Sequence, residues 1–417
     1  MSRTAKREKP PISKRAMILI FASILIIVLV FQLFMPSFGQ NHQIRFESTG
    51  HGVSYSFDAS PSFHSNNTSN FHFVTRDGVR YYSSGGDLRW SNTFSLNRPV
   101  MVARGDYVAV GEESGGRSVY VFNTSGSIMR LYFEYPIQGF SVNESGFLSV
   151  ILQYSNGHGI RVFHQGYQDG NSPLFSLSFR NEGLFYPVMA EVCQNGVYLA
   201  LAIVDANIRF GTTVQFRYIG TRGADIGAGV DRGLFASETF PQDLVTSMRF
   251  MGGNRLVVAT TEQIVSYQLT PRAYAISIIQ EMWSMPLNNM LSHIAFYDNS
   301  HFAYITGPRH LGAENSLHVG TVRIINAANA QVTGEFHIGR RATHLYMGHG
   351  SVIVGADRNF HAVAFDGTHL WEHNSLFDTR EIQFLGGTGT VIIAGANRAE
   401  IHERRRMRIA EGFDEFE

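Results

Sequence analysis

Histidine is the residue type that most invites a chemical reading of this chain. There are 17, none before His42, enough in principle to ligate a metal. His369 and His373 stand four apart, a spacing that would set both rings on one face of a helix. They flank Trp371, however, in a run of alternating bulky residues that predicts a strand. Four residues of strand span about 13 Å, too far for one ion. His337, His344 and His349 are spread over a predicted strand and loop, and no His-Glu-x-x-His pair occurs. The expectation is of scattered surface or interface histidines and no metal site.

Other constellations are equally weak. Gly227-Ala228-Gly229 with Gly233 superficially resembles a phosphate-cradling loop, but the nucleotide fingerprint needs a different spacing and a strand-helix-strand setting. A flexible insertion is the expected reading. No Gly-x-Ser-x-Gly elbow is present, which removes the nucleophile turn of the usual serine hydrolases. No calcium loop of the EF-hand kind is found. Carboxylate pairs for glycoside hydrolysis stay open, because such pairs are often assembled from distant segments; nothing singles one out. Cys193 is the only cysteine, so no internal disulfide can form. It lies in the apolar run Val188 to Val204 and is expected to be a small buried hydrophobe rather than a nucleophile. No catalytic, cofactor-binding or metal-binding residue, and no cofactor, is therefore assigned.

What positions these residues follows from composition. Of 417 residues, 44% are apolar and 12% aromatic, enough for a large core. Charged residues are only 16% and glycines number 41, which points to many turns and few solvated helices. Charge is unevenly placed. Residues 1–15 carry six cations (Arg3, Lys6, Arg7, Lys9, Lys14, Arg15) against Glu8, while the remainder sets 28 arginines against 33 acids. A mildly acidic body without a basic stripe argues against nucleic acid as a partner.

Ala16 to Met35 reads AMILIFASILIIVLVFQLFM, with only Ser23 and Gln32 polar. Twenty helical residues rise roughly 30 Å, the thickness of a bilayer's hydrocarbon core. Pro36 ends the helix. The basic tail before it is expected to stay cytoplasmic and the rest of the chain to lie outside. The competing reading is a cleaved signal peptide, with Ser37-Phe38-Gly39 near the cleavage site. The apolar run exceeds the roughly 7–15 residues of a signal-peptide core, which favours a retained single-pass anchor.

Beyond residue 44, short β-branched and aromatic runs follow turn residues at regular intervals. One recurring element is a turn leading into an apolar strand: GDYVAVGEE (105–113), SGFLSVILQ (145–153), NGVYLALAIV (195–204), GNRLVVATTE (253–262), GSVIVGAD (350–357) and GTVIIAGAN (389–397). A second strand follows, as in GVRYYSSGGDLRW (78–90), SVYVFNTSGSIMRL (118–131), GIRVFHQG (159–166), TVRIINAANAQV (321–332) and HAVAFDGTHLW (361–371). Equivalent positions fall at Tyr81, Val121 and Val162, then near Phe216, Tyr267, Ile324, Ala364 and His402. A repeat near 40 residues, each a small meander, is the signature of a β-propeller. Stacking such sheets in a ring buries both faces of each and leaves only short edges. The expected fold is all-β, a propeller of seven to eight blades with eight favoured, preceded by one transmembrane helix. The last unit (379–407) offers three strands, so a strand near Ile44–Phe57 is expected to complete it. Expected boundaries are 1–15 basic tail, 16–35 helix, 36–44 linker, 45–408 propeller and 409–417 acidic tail. Residues 220–233 and 307–320 read as long exposed loops, Arg404 to Arg408 as a solvated tail after the final strand, and Asn123-Thr124-Ser125 as turn chemistry.

Laid out this way, the chain resembles the WD-repeat and quinoprotein-like (PQQ-like) propeller superfamily, and more closely bacterial propellers with one N-terminal membrane helix. The resemblance covers roughly residues 45–408. It rests on the spacing and on Ala364-Phe365-Asp366-Gly367-Thr368-His369-Leu370-Trp371, similar to the quinoprotein blade pattern in which Asp and Gly shape a turn and Trp docks on the next blade. Trp90 holds the matching place after Gly85-Gly86 without the aspartate at its usual position. With three tryptophans (Trp90, Trp283, Trp371) the docking pattern is not repeated around the ring, and Cys193 alone cannot form the vicinal pair of quinone-dependent alcohol dehydrogenases. The resemblance implies a fold, and fold does not fix function. The functional expectation is a membrane-tethered, non-enzymatic scaffold or sensor outside the cytoplasm, with a protein or glycan partner in the cell envelope. The alternative is a glycan-active hydrolase or lyase with a carboxylate site in the central channel.

Overall fold

Turn residues alternate with apolar runs along the chain, and the computed structural model turns each run into a strand. It describes residues 42–408 apart from 56–60, 66–67, 113–114, 168–171, 181–184, 207–210, 221–231, 272–276 and 308–319. The basic tail, the apolar segment 16–35, most of the linker, the bulk of both long loops with Gly227 to Gly229, and the acidic tail lie outside the described residues. The chain divides into two units, Phe46–Arg404 and a smaller one made of Met1–Arg45 with Arg405–Glu417. The larger is the propeller.

Among the described residues there are eight four-stranded sheets. Blade 8 opens the chain with its outer strand, β1 (His42–Ser54). Blade 1 is β2 (Ser62–Ser65), β3 (Asn70–Thr75), β4 (Gly78–Ser83) and β5 (Leu88–Thr93). Blade 2 is β6 (Pro99–Arg104), β7 (Tyr107–Glu112), β8 (Ser118–Asn123) and β9 (Gly126–Tyr132). Blade 3 is β10 (Ile137–Val142), β11 (Leu148–Tyr154), β12 (Gly157–Phe163) and β13 (Phe175–Arg180). Blade 4 is β14 (Phe185–Val192), β15 (Tyr198–Asp205), β16 (Gly211–Tyr218) and β17 (Leu234–Phe240). Blade 5 is β18 (Val245–Phe250), β19 (Arg255–Thr260), β20 (Gln263–Pro271) and β21 (Ser277–Pro286). Blade 6 is β22 (Met290–Tyr297), β23 (His301–Gly307), β24 (Thr321–Asn326) and β25 (Gln331–His337). Blade 7 is β26 (His344–Gly348), β27 (Ser351–Ala356), β28 (Asn359–Ala364) and β29 (His369–Asn374). Blade 8 then finishes with β30 (Glu381–Phe384), β31 (Thr390–Ala394) and β32 (Arg398–Arg408), against which β1 is hydrogen-bonded.

The repeat positions read from sequence all fall on the third strand of a blade, from Tyr81 on β4 to His402 on β32. The turn-plus-apolar-strand elements are second strands. The ring closes as expected, with a strand from the start of the chain completing the last blade. Gly52 makes that closure possible: a Cβ there would stand 2.5 Å from the Ala399 carbonyl oxygen on β32. Tyr55 N–H donates to Asn397 O at 3.0 Å just beyond. One expectation is corrected. The arginine run starting at Arg404 is no tail after the final strand; it is the last stretch of β32, whose ladder continues as Arg404 N–H donates to Gly389 O at 2.8 Å.

Burial grades outward within each blade, and this explains the residue choices. The second strand of blade 7, SVIVGA, is buried at every position, because neighbouring blades cover both faces. Its outermost strand, HLWEHN, buries only Trp371. Each junction is an apolar layer. Val74 and Val79 of blade 1 pack with Val108 and Phe122 of blade 2, Ala200 and Phe216 of blade 4 with Val258 and Tyr267 of blade 5, and Phe63 and Phe73 of blade 1 with Ile392 and Ile401 of blade 8.

The three tryptophans dock on the next blade. Trp90 Nε1 donates to Thr124 O at 3.0 Å and Trp283 Nε1 to Ala327 O at 3.1 Å, both in turns between third and fourth strands. Blade 8 has no such turn, because its third and fourth strands come from opposite ends of the chain. Trp371 instead donates to Thr388 O, between β30 and β31, at 3.0 Å. In the turn before Trp371, Thr368 N–H is held by Asp366 Oδ1 at 2.9 Å and Gly367 takes φ +87°, where a Cβ would strain the backbone. Ser83 to Asp87 make the same backbone turn before Trp90, with Gly86 at φ +82° and Ser83 N–H donating to Asp87 O.

Candidate functional site: the mouth of the central channel

A propeller's first strands line its axis, where they have no neighbouring ladder on the inner side, so inward polar groups must be satisfied by side chains. The wall of this channel is accordingly sewn from blade to blade. His64 of β2 donates through Nε2 to Gly105 O after β6, at 2.8 Å. Ser141 of β10 donates to Glu191 Oε1 of β14 at 2.7 Å. Arg249 of β18 reaches Phe296 O of β22 through Nη1 at 3.1 Å, and through Nη2 spans past blade 4 to Glu144 Oε1, after β10, at 2.6 Å. His344 Nε2 of β26 meets Arg380 O at 2.8 Å.

The seam between the last and first blades is the most heavily stitched. Gln383 of β30 donates to Phe63 O at 2.7 Å and its oxygen accepts from Ser65 N–H at 2.9 Å. Glu381 accepts from Phe63 N–H at 3.3 Å and from Gln383 Nε2. Burial pushes the Glu381 carboxyl up to about 7, against those two donors, which favour its charged form.

At the end of the channel where first strands turn into second strands lies a cavity of about 550 Å³. Its wall is built by six blades and includes His64, Arg104, Glu144, Arg249, Phe296, Tyr297 and Tyr346. A narrow recess beside it adds Glu191. Burial pulls the Arg104 guanidinium below its usual value and Arg249 repels it, while Glu191 and Glu144 support it. Burial raises the Glu191 carboxyl, opposed by Arg104 and by the Ser141 hydroxyl. Two arginines and two glutamates thus balance. Burial holds His64 down to about 4, so it is neutral at pH 7 and keeps its Nε2 proton on Gly105.

The histidines weighed from sequence are not brought together. His369 stacks on Phe336, centroids 5.4 Å apart, and lies 3.4 Å from the His361 ring nitrogen. His373 meets Phe46 and His402, each at 5.7 Å. His337 bonds Thr321, His344 the channel wall, and His349 packs edge-on to Phe384. Among the described residues no three His, Cys, Asp or Glu side chains come together to hold a metal ion. Cys193 is buried, but in a turn rather than a strand. Its sulfur accepts Tyr198 N–H at 3.0 Å and meets Asn195 Oδ1 at 2.8 Å, and burial pushes the thiol up. Asn123 Oδ1 accepts Ser125 N–H at 2.9 Å, making the sequon a turn. Among the described residues no helix is long and apolar enough to cross a membrane.

Sequence reasoning missed Arg104, Glu144, Glu191, Arg249 and Glu381. A signal was present: Arg104, Glu191 and Arg249 are each the one charged residue of a first strand, at its last or next-to-last position (PVMVAR, FYPVMAEV, VTSMRF).

These features define an eight-bladed β-propeller with a polar cavity of about 550 Å³ at the mouth of its axial channel; a second polar hollow of similar volume lies off the axis, beside Arg358 and Asp378. The chain belongs to the family described as DUF5711, a family of unknown function, whose model matches residues 56–403. No curated protein matches it. Among solved structures it is similar to Sqt1 of Saccharomyces cerevisiae, with 10% identity over 86% of this chain and 100% of that one and a TM-score of 0.56. BamB from Moraxella catarrhalis gives 11% identity over 86% and 99% with a TM-score of 0.48. The β-propeller domain of Cps50 (Swd1) from Myceliophteria thermophila gives 10% over 87% and 99% with a TM-score of 0.49. The likeness to Sqt1 is one of fold.

Proposed function

We propose that this protein is a non-enzymatic binding scaffold, tethered by residues 16–35 to the outer face of a membrane, whose channel mouth receives a component of the cell envelope. The observation that carries the reading is the commitment of the channel's charges to one another. Arg249 spends its guanidinium on Glu144 and Phe296 O, and Glu191 accepts from Ser141. Such groups form a rigid wall on a scaffold of fixed strands, which holds Arg104 and the neighbouring aromatic rings in place as a preorganised recognition surface. The apolar run behind a basic tail supports the tether and its orientation.

A cysteine placed at Leu376, 93% exposed, tests the address, because Cys193 is buried and adds little background. A membrane-impermeant maleimide should label Leu376→Cys in intact cells; labelling only after lysis would overturn the orientation. Photo-crosslinking from Tyr297 in the channel mouth should capture an envelope component and lose it in Arg104→Gln. Capture that ignores Arg104 would remove the channel from the reading.

One observation favours a second reading, a glycan-active enzyme: Glu191, raised by burial, lines the same recess as Glu144, which pairs with Arg249 at 2.6 Å. An acid and a base of that kind serve glycosidic cleavage. Polysaccharide turnover abolished by Glu191→Gln would establish it.

A further inference from the structure

We infer that the channel-mouth cavity takes a neutral, hydroxyl-rich ligand, a saccharide unit of a glycan; this rests on the reading of the cavity as the binding site. The first argument is charge. Arg104 and Arg249 are matched by Glu144 and Glu191, and Asp106 and Asp298 stand on the same wall. The cavity therefore offers no surplus positive field to hold a phosphate, sulfate or carboxylate. A cation is poorly served as well, because the two glutamates answer arginines, Asp298 is hydrogen-bonded to Tyr297 and Asp106 has a partner of its own.

The second argument is the pattern of groups left over. Arg104 Nη1 donates to Ala103 O at 3.0 Å, and the side chain lines the cavity. Glu144 gives Oε1 to Arg249 and lines the same cavity. A hydroxyl is at once donor and acceptor, so a pair of neighbouring hydroxyls fits beside a guanidinium and a carboxylate set close together. Neutral His64 adds a ring without adding charge.

The third argument is the apolar share of the wall. Phe296, Tyr297 and Tyr346 are partly exposed rings of β22 and β26, and the C–H faces of a sugar ring pack on such surfaces. The ring of Phe296 is also fixed from behind by the Arg249 guanidinium, 5.8 Å from its centroid. A volume of about 550 Å³ lies in the range of small-molecule sites.

The test uses the full chain in detergent against an array of neutral, uronate-bearing and sulfated oligosaccharides, with calorimetry on each hit. Neutral oligosaccharides should bind, and Arg104→Gln, Glu144→Gln and Tyr297→Leu should each weaken them at least tenfold. Arg358→Ala, at an exposed ion pair on blade 7, should leave binding unchanged. Thermal melts by tryptophan fluorescence confirm that each variant is folded; a variant that fails is replaced by Tyr346→Phe. Uronate or sulfated glycans preferred over neutral ones, and lost with Arg104→Gln, would overturn the ligand class while keeping the channel as the site. Neutral binding indifferent to all channel variants would overturn both. An array with no hit would overturn the saccharide, while crosslinking from Tyr297 would still judge the channel.

Discussion

Replacing Glu381 with glutamine should remove from this protein's stability a contribution that is lost as pH rises from about 5 to about 8. The carboxyl sits on β30 at the seam where the ring closes, facing the β2 backbone, Gln383, Tyr346, Tyr55 and Arg380. Burial raises it from an ordinary 4.5 to about 7. The folded state then holds this proton more tightly than the unfolded chain does. The stabilisation is complete below about pH 4.5, is lost as pH rises through about 7, and is level above that. A displacement of this size is worth at most about 3.5 kcal/mol at ~1.4 kcal/mol per pH unit. Part of Glu381 stays accessible to solvent, which screens the carboxyl, so about 1–2 kcal/mol is the working figure.

Three buried histidines act in the opposite sense. His64 and His373 are held down to about 4 and His72 to about 3, so protonation of the unfolded chain destabilises the fold as pH falls below about 6.5. They are common to both proteins and cancel in the difference. The assay is denaturant unfolding of the full chain in detergent at pH 5, 6, 7 and 8, followed by fluorescence of Trp90, Trp283 and Trp371, each at a blade junction. Wild type should lose about 1–2 kcal/mol relative to Glu381→Gln between pH 5 and 8. The variant carries a constant cost of about 1 kcal/mol, because its amide cannot satisfy both Phe63 N–H and Gln383 Nε2. Parallel pH profiles would refute the argument.

The remaining predictions address closure, the channel wall and the thiol. Gly52→Val puts side-chain atoms into the Ala399 carbonyl and should detach β1 from β32, read as proteolytic release of the N-terminal strand and a lower melting temperature. Arg249→Ala strands Glu144 at a largely buried site and should cost about 3 kcal/mol, whereas the double variant with Glu144→Gln should recover about half; additive losses in a double-mutant cycle would deny the coupling. Trp371→Phe loses the bond to Thr388 O and should cost about 1 kcal/mol by chemical denaturation, with Trp371→Ala costing about 3–5. Cys193 should resist a thiol reagent at pH 8 in the native protein and react at once in denaturant; fast native labelling would contradict its burial.

The repeat was legible because the ring makes every blade solve the same problem. A third strand covered on both faces must be apolar, which is why Tyr81, Val121 and Val162 mark the period, and a turn such as Asp366-Gly367 repeats because the same hairpin recurs. The closing strand was legible for a related reason: β30 to β32 are one strand short, and an unpaired edge has to be covered. The channel was not legible. Arg249 and Glu144 are 105 residues apart and belong to blades that are not neighbours in the ring. Their pairing depends on how many blades there are and how far each first strand tilts inward, and neither quantity is local to any stretch of sequence. The arginine run from Arg404 misled because charge was weighed above pattern; Arg404 continues a ladder that its neighbours had already begun.

Polar residues on the axis of a propeller answer two demands that look alike in a list of contacts. Each first strand turns an edge toward water or toward another blade, so some side chains must bridge blades for the ring to hold. Arg249, His64 and Gln383 do this, and their bonds point along the wall. Recognition needs groups that are held but not used up. Arg104 meets that condition, bonded to its own neighbour's carbonyl and lining the cavity. The two roles predict opposite signatures. A bridging residue, removed, should lower the melting temperature whether or not ligand is present. Arg104, removed, should leave the unliganded melting temperature near its original value, because relief of its repulsion with Arg249 offsets what Glu191 and Glu144 lose, and should abolish the rise that ligand produces. An Arg104→Gln protein that melts far below wild type without ligand would move this residue into the wall and leave the cavity without its principal donor.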